Sequence, residues 1–161
     1  MRYRRAMTEA RCGPIHGVRV EDVVDQLDMQ DEATQVYLDR NTHTFVTILD
    51  PFVYGEDVTE DQPDPEDLDP ERFAPLPSTF DIHEWAILRD FCAGVEDPDL
   101  RPRLLRAVHG RGAFRVTKDL LFEHGLLDAW YAARDRALDG IARAWLDSLG
   151  LGSDLDETTA R

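Results

Sequence analysis

The chain has 161 residues, 33 of them Asp or Glu against 18 Arg or Lys, for a formal charge of −15. That length accommodates one domain with a sizeable core, and that charge excludes broad attraction to nucleic acid or to an anionic membrane. Cys12 and Cys92 lie far apart with no Cys-x-x-Cys spacing, which excludes a zinc cluster and a secreted disulfide framework as organising features.

Residues 1–17, MRYRRAMTEARCGPIHG, are charged and have no apolar h-region behind them. They read as a flexible extension, with Met1 and Met7 as alternative starts. No apolar run approaches the roughly 18–20 residues of a membrane span, so a cytoplasmic, non-membrane protein is expected. Residues 18–151 then read as a single α+β domain. Val20, Val23, Val24 and Leu27 recur at the spacing of one helical face. Residues 35–39 (QVYLD) and 44–49 (TFVTIL) are rich in β-branched and aromatic residues and predict a β-hairpin whose turn lacks glycine.

Residues 50–72 hold ten Asp or Glu, one Arg and four Pro, a composition that buries too little apolar surface to offset the entropy of ordering it. A mobile acidic loop is expected here, with Phe52, Tyr54 and Leu68 set among the acids as a feature a protein partner or a DNA mimic would use. Ser78 and Asp81 form a capping-box variant before a helix carrying Trp85, Leu88 and Cys92 to Gly94. A second helix, opened near Pro98 or Pro102, runs through Leu104, Leu105 and Val108 to Gly110. A third spans Ala113–Glu123, and a fourth runs from Leu126 to Leu149. The expected architecture is therefore an N-terminal helix and β-hairpin packed against a C-terminal bundle of about four helices, followed by a frayed tail from residue 152.

Gly110-Arg111-Gly112-Ala113-Phe114-Arg115, Lys118-Asp119, Gly125-Leu126, Trp130-Tyr131, Arg134-Asp135 and Trp145-Leu146 together give residues 103–151 a specific pattern. The segment resembles the C-terminal half of uncharacterised protein family 0158, a bacterial family without an established biochemical function, and the likeness extends more loosely back to about residue 18. The chain departs from that family at Thr117, where an aromatic is frequent, and at Ala133, where Phe is usual. The resemblance implies an architecture and no catalytic residue.

Residues 101–118 carry Arg101, Arg103, Arg106, Arg111, Arg115 and Lys118 and no acid, leaving −21 for the rest of the chain. Gly110 and Gly112 would let backbone N–H groups approach an anion at a helix N-terminus, and at 100° per residue Arg111, Arg115 and Lys118 share one stripe flanked by Phe114 and Leu121. Helix, Gly-containing turn and helix is also the outline of a DNA-binding helix-turn-helix. Set against these are readings in which the glycines only cap and turn the chain and the cations neutralise acidic neighbours, or in which the basic segment faces an acidic protein surface.

Arg134 stands inside the apolar stripe of Leu127, Trp130, Tyr131, Leu138, Ile141 and Trp145 and requires an ion-pair partner; Asp119 and Asp90 are the expected ones. Arg134, Asp119 and His109 also compose the one catalytic alternative, a small hydrolase or transferase. The five histidines form no His-x-x-x-His pair and no triad, and nucleotide-binding and nucleophile-elbow motifs are missing, so neither a metal nor a cofactor is expected. The favoured reading is a non-catalytic binding module that engages an anionic partner such as nucleic acid through residues 103–118, with an adaptor using the acidic loop as the alternative.

Overall fold

The computed structural model describes residues 17–151. All of the expected extension except Gly17, with Met1, Met7, Cys12 and His16, and the tail from residue 152 lie outside the described residues. The fold is α+β, as expected. Helix α1, Val20–Met29, buries Val20, Val23 and Leu27, the face its spacing marks. Strands β1, Thr34–Asp39, and β2, Thr44–Leu49, pair antiparallel across a four-residue turn. In that turn His43 takes the left-handed φ of 57° that a glycine would otherwise supply.

A third strand was not expected. β3, Phe73–Pro75, pairs antiparallel with the other side of β1, giving the order β2-β1-β3. Three residues ending in proline are too short to display an alternation of period two.

The segment between β2 and β3 is not a featureless loop. It contains α2, Pro51–Tyr54, α3, Glu56–Thr59, and a 3-10 turn, Pro65–Asp67. Asp50 and Asp64 cap two of these turns by accepting from the N–H groups of Phe52 and Glu66. Composition announced the exposure of its acids but not this capping, which depends on each Asp standing just before a proline at the first helical position.

Asp39 fastens the segment's far end to the sheet. Its buried carboxylate accepts from Arg72 Nε at 3.1 Å and Nη2 at 2.7 Å, and from the backbone N–H groups of Asn41 and Thr42. The Arg72 guanidinium holds Asp39 well below the usual carboxylate range; burial opposes this and the turn amides reinforce it.

The C-terminal half is helical. The Ser78–Asp81 capping box forms and opens α4, Thr79–Ile82. The helix expected to continue to Gly94 breaks at His83, φ 50° and ψ 55°, and resumes as α5, Glu84–Ala93. The break has a packing cause, because Ile82 enters one hydrophobic cluster while Leu88 and Cys92 enter another. Helix α6, Leu100–Val108, has Pro102 inside its first turn, and its start is fixed by Asp97, whose carboxylate accepts from the N–H groups of Asp99 and Leu100. Helix α7 is Ala113–Glu123 and α8 is Leu127–Ser148.

Two cores result. Val23 and Leu27 of α1, Val36 and Leu38 of β1 and Leu138, Ala142 and Leu146 of α8 form the first. Leu88 and Cys92 of α5, Leu100, Leu104 and Val108 of α6, Leu121 of α7 and Trp130 of α8 form the second. Cys92 is fully enclosed there, and burial pushes its thiol up to about 11, which removes it from thiolate chemistry. Thr117 is also fully buried, and its hydroxyl finds no hydrogen-bond partner among the described residues. Among the described residues, no helix is long and apolar enough to cross a membrane.

Because the Asp39 carboxyl is depressed in the folded state, its contribution to stability is complete above the ordinary carboxylate range and declines as pH falls through and below it. Asp39→Asn is therefore expected to cost about 2 kcal/mol at neutral pH, and urea unfolding at stepwise lower pH should show the gap to wild type narrowing below about pH 4. A gap independent of pH would count against the ion pair. At Thr117, replacing the unpartnered hydroxyl by a methyl should raise stability, with Thr117→Val expected to gain about 1 kcal/mol, seen as a higher thermal midpoint; a lowered midpoint would show that the hydroxyl has a partner.

Candidate functional site

The basic segment folds as α6, a four-residue turn and α7. Gly112 caps α7 at φ 65°, a conformation that favours glycine, and a Cβ on Gly110 would lie 3.3 Å from the Arg106 carbonyl oxygen, a tight contact. The first-turn N–H groups of α7 receive no side-chain cap, and no acid lies in that turn. Trp85 of α5 closes the other side: its indole N–H donates to the Val108 carbonyl at 2.8 Å, and its ring meets His109 edge-on at 5.4 Å.

On α7, Thr117 and Leu121 face the core, whereas Arg115 is exposed and Lys118 half-buried. Phe114, at the flank of the stripe, is 37% exposed. Arg111 precedes the left-handed Gly112, which takes it off the helical path; Arg115 and Lys118 keep their common stripe, and Phe122 falls between them in angle within about 60° of circumference. Phe122 is 72% exposed. Its spacing of four from Lys118 was visible in the sequence, but a phenylalanine in a helix reads first as core.

Arg103 and Arg106 are exposed on α6. Arg103 Nη1 lies 3.4 Å from His124 Nε2 at the end of α7, and Asp97, before α6, feels both His124 and Arg103. The start of α6 therefore lies beside the end of α7, the antiparallel arrangement of an αα-hairpin and not the 90–120° crossing of a DNA-reading helix-turn-helix. The outward face of α7 also carries Asp119 and Glu123, two carboxylates that a groove-reading helix would bring against phosphate.

The seven salt bridges among the described residues use Arg19, Arg72, Arg89, Arg134 and Arg143. None uses Arg101, Arg103, Arg106, Arg111, Arg115 or Lys118. The Arg101 side chain donates to the Glu96 carbonyl. Among the described residues, then, none of these six cations forms a salt bridge with a carboxylate, although Arg103 lies near enough to Asp97 to act on it.

Arg134 is paired, but not with Asp119 or Asp90. Its Nη1 meets Asp28 of α1 and its Nε meets Glu84 of α5, each at 2.6 Å. Position 134 lies on α8 between Trp130 of the second core and Leu138 of the first, where the C-terminus of α1 and the N-terminus of α5 converge. Asp90 points elsewhere and pairs with Arg89, and Asp119 occupies the exposed side of α7. Burial draws the Arg134 guanidinium down, yet the bonds to Glu84 and Asp28 outweigh it and the net displacement is upward, so the residue stays charged.

The catalytic alternative required Arg134, Asp119 and His109 to converge, and they do not. His109 is exposed, with Nδ1 2.7 Å from the Leu105 carbonyl oxygen. A groove of about 330 Å³ between α1 and α8 is lined by Glu21, Asp25, Asp28, Asp135 and Asp139 over Val24 and Leu138. A second, of about 560 Å³, is lined by residues that include Phe91, Asp97, Leu100 and His124. Neither is lined by any member of that trio. Among the described residues, no group of His, Cys, Asp and Glu is placed to hold a metal ion.

Comparison with known proteins returns one family: a family model described as Uncharacterised protein family (UPF0158) matches residues 14–152. No curated protein and no solved structure matches the chain.

Arg134→Ala should lower stability by roughly 3 kcal/mol, since two charge-assisted bonds are lost at a largely enclosed position. Arg134→Lys should recover only part of this, because one ammonium cannot span both carboxylates. Denaturant unfolding checks both, and an Arg134→Ala variant as stable as wild type would show that the bridge holds nothing together.

Proposed function

Because the chain belongs to Uncharacterised protein family (UPF0158), which brings no assigned chemistry, we propose from its geometry that it is a non-catalytic module binding the phosphate backbone of a nucleic acid through the α6–α7 hairpin. The observation that carries this reading is the set of six cations in residues 101–118, none of which forms a salt bridge among the described residues although acids outnumber bases nearly two to one. Desolvated ion pairs would tie such cations up; cations outside salt bridges on the hairpin are available to phosphate.

Phe122 supports the same reading. An exposed ring on the stripe of Arg115 and Lys118 offers a surface on which an unstacked base can lie, a contact that tolerates any sequence. The antiparallel hairpin and the carboxylates of Asp119 and Glu123 argue for contact with the backbone rather than reading of base edges in a major groove. The surrounding negative charge then opposes non-specific spreading along the polymer and confines attachment to the hairpin.

Fluorescence anisotropy with duplex DNA and single-stranded RNA at about 50 and 200 mM salt tests this. Roughly three to five phosphate contacts predict a log-log salt slope of about −3 to −4.5 on duplex. The Arg111→Glu, Arg115→Glu, Lys118→Glu variant is expected to stay folded and lose the interaction. Absence of binding at the lower salt, or undiminished binding by the variant, would overturn the reading.

A further inference from the structure

The free edge of the sheet is chemically unlike the rest of the surface. Strand β2 occupies that edge, and from Asn41 to Leu49 the chain has nine successive residues without a formal charge. Natural edge strands are blunted by lysines, prolines, bulges, short length or a covering element. β2 has six residues, none charged and none proline, in continuous register with β1.

The hydrogen-bond pattern fixes which groups face outward. Asp50 N–H donates to the Ala33 carbonyl, while on the opposite side of β1 Leu76 N–H donates to the Val36 carbonyl and Arg40 N–H to the Arg72 carbonyl. Odd-numbered residues of β1 therefore bond to β2 and even-numbered ones to β3. In the register Gln35↔Ile48 and Tyr37↔Val46, the backbone groups of Phe45, Thr47 and Leu49 point away from the sheet.

Leu49 is already served. Gln62 imitates a neighbouring strand, its Oε1 accepting from Leu49 N–H at 3.0 Å and its Nε2 donating to the Leu49 carbonyl at 2.7 Å. No described residue does the same for Phe45 and Thr47.

We propose that this edge is a homodimer interface in which β2 pairs antiparallel with β2 of a second copy about a two-fold axis at Val46. The register is dictated by the groups left open. Phe45 and Thr47 of one copy oppose Thr47 and Phe45 of the other as hydrogen-bonded pairs, with the two Val46 residues facing each other as the non-hydrogen-bonded pair on the axis. The contact is self-complementary, as a two-fold interface must be.

Charge selects the same arrangement. The strand begins just after the turn bearing Arg40 and ends just before Asp50, beyond which Glu56, Asp57, Glu60 and Asp61 follow. Antiparallel pairing sets the basic end of one strand against the acidic end of the other, whereas parallel pairing would stack the acidic ends together. The interface also sets α2 next to the second copy's hairpin turn, so that Phe52 and Val53, 98% and 65% exposed in the single chain, lie at its border. A protein of net charge −15 repels its own copies over most of its surface, and this neutral strip is a place where they can approach.

Sedimentation equilibrium of the full chain should give about twice the monomer mass of 18.4 kDa at micromolar concentrations. Thr47→Pro removes an outward N–H without touching the bonds to β1 and should return the monomer mass; should it not fold, Thr47→Lys makes the same test by placing a charge on an exposed side chain at the edge. In a Cys12→Ala background, Val46→Cys should form an intermolecular disulfide under mild oxidation, because facing residues on the axis bring their Cβ atoms within reach. Thr44→Cys, about 13 Å from its counterpart, should not. A monomer at every concentration, or a dimer that survives both Thr47 variants and does not crosslink through position 46, would overturn the proposal.

Discussion

One arginine holds this fold's two halves in register. Helix α8 places buried residues in both hydrophobic cores, contributing Trp130 to one and Leu138, Ala142 and Leu146 to the other. Between these contributions the helix must cross the seam, where Arg134 reaches Asp28 on one side and Glu84 on the other. Its guanidinium fork makes two directed bonds at once, which an ammonium cannot do. With only 18% of the side chain exposed, that charge would be costly if left unpartnered. The α6–α7 hairpin rests on the second core, so its orientation relative to the acidic N-terminal half depends on this junction.

The charge arrangement becomes intelligible from there. Several acids have defined tasks: Asp39 clamps Arg72, Asp50, Asp64 and Asp97 cap turns, and Asp28 and Glu84 bind Arg134. Among the described residues the cations of residues 101–118 form no salt bridge, although Arg101 donates to the Glu96 carbonyl and Arg103 lies beside His124. Net charge does not decide binding at such a segment, since binding responds to the local field.

Much of the fold was legible because it is local. Val20, Val23 and Leu27 at helical spacing, the β-branched runs of the hairpin and Ser78–Asp81 each declare an element within a few residues. What escaped was set by packing at a distance. Nothing local marks β3, and His83 interrupts a helix only because its two ends belong to different cores. The need for a partner to Arg134 was visible, but its identity was not: Asp28 lies 106 residues away, and a chain this acidic offers many equivalent carboxylates. For the candidate site, the basic segment and its glycines could be read directly, whereas Phe122, the Trp85 cap and the antiparallel packing of the hairpin required the tertiary arrangement.

The central claim is that a rigid basic hairpin, held by the second core, is where the anionic partner attaches. Hydrogen–deuterium exchange of the full chain, with and without saturating single-stranded RNA or duplex DNA, addresses it most directly. Protection that increases across α6, the Gly110–Gly112 turn and α7, with the groove between α1 and α8 unchanged, is the predicted result. Protection confined to the acidic segment 50–72 or to that groove, or no change in the hairpin on binding, would contradict it.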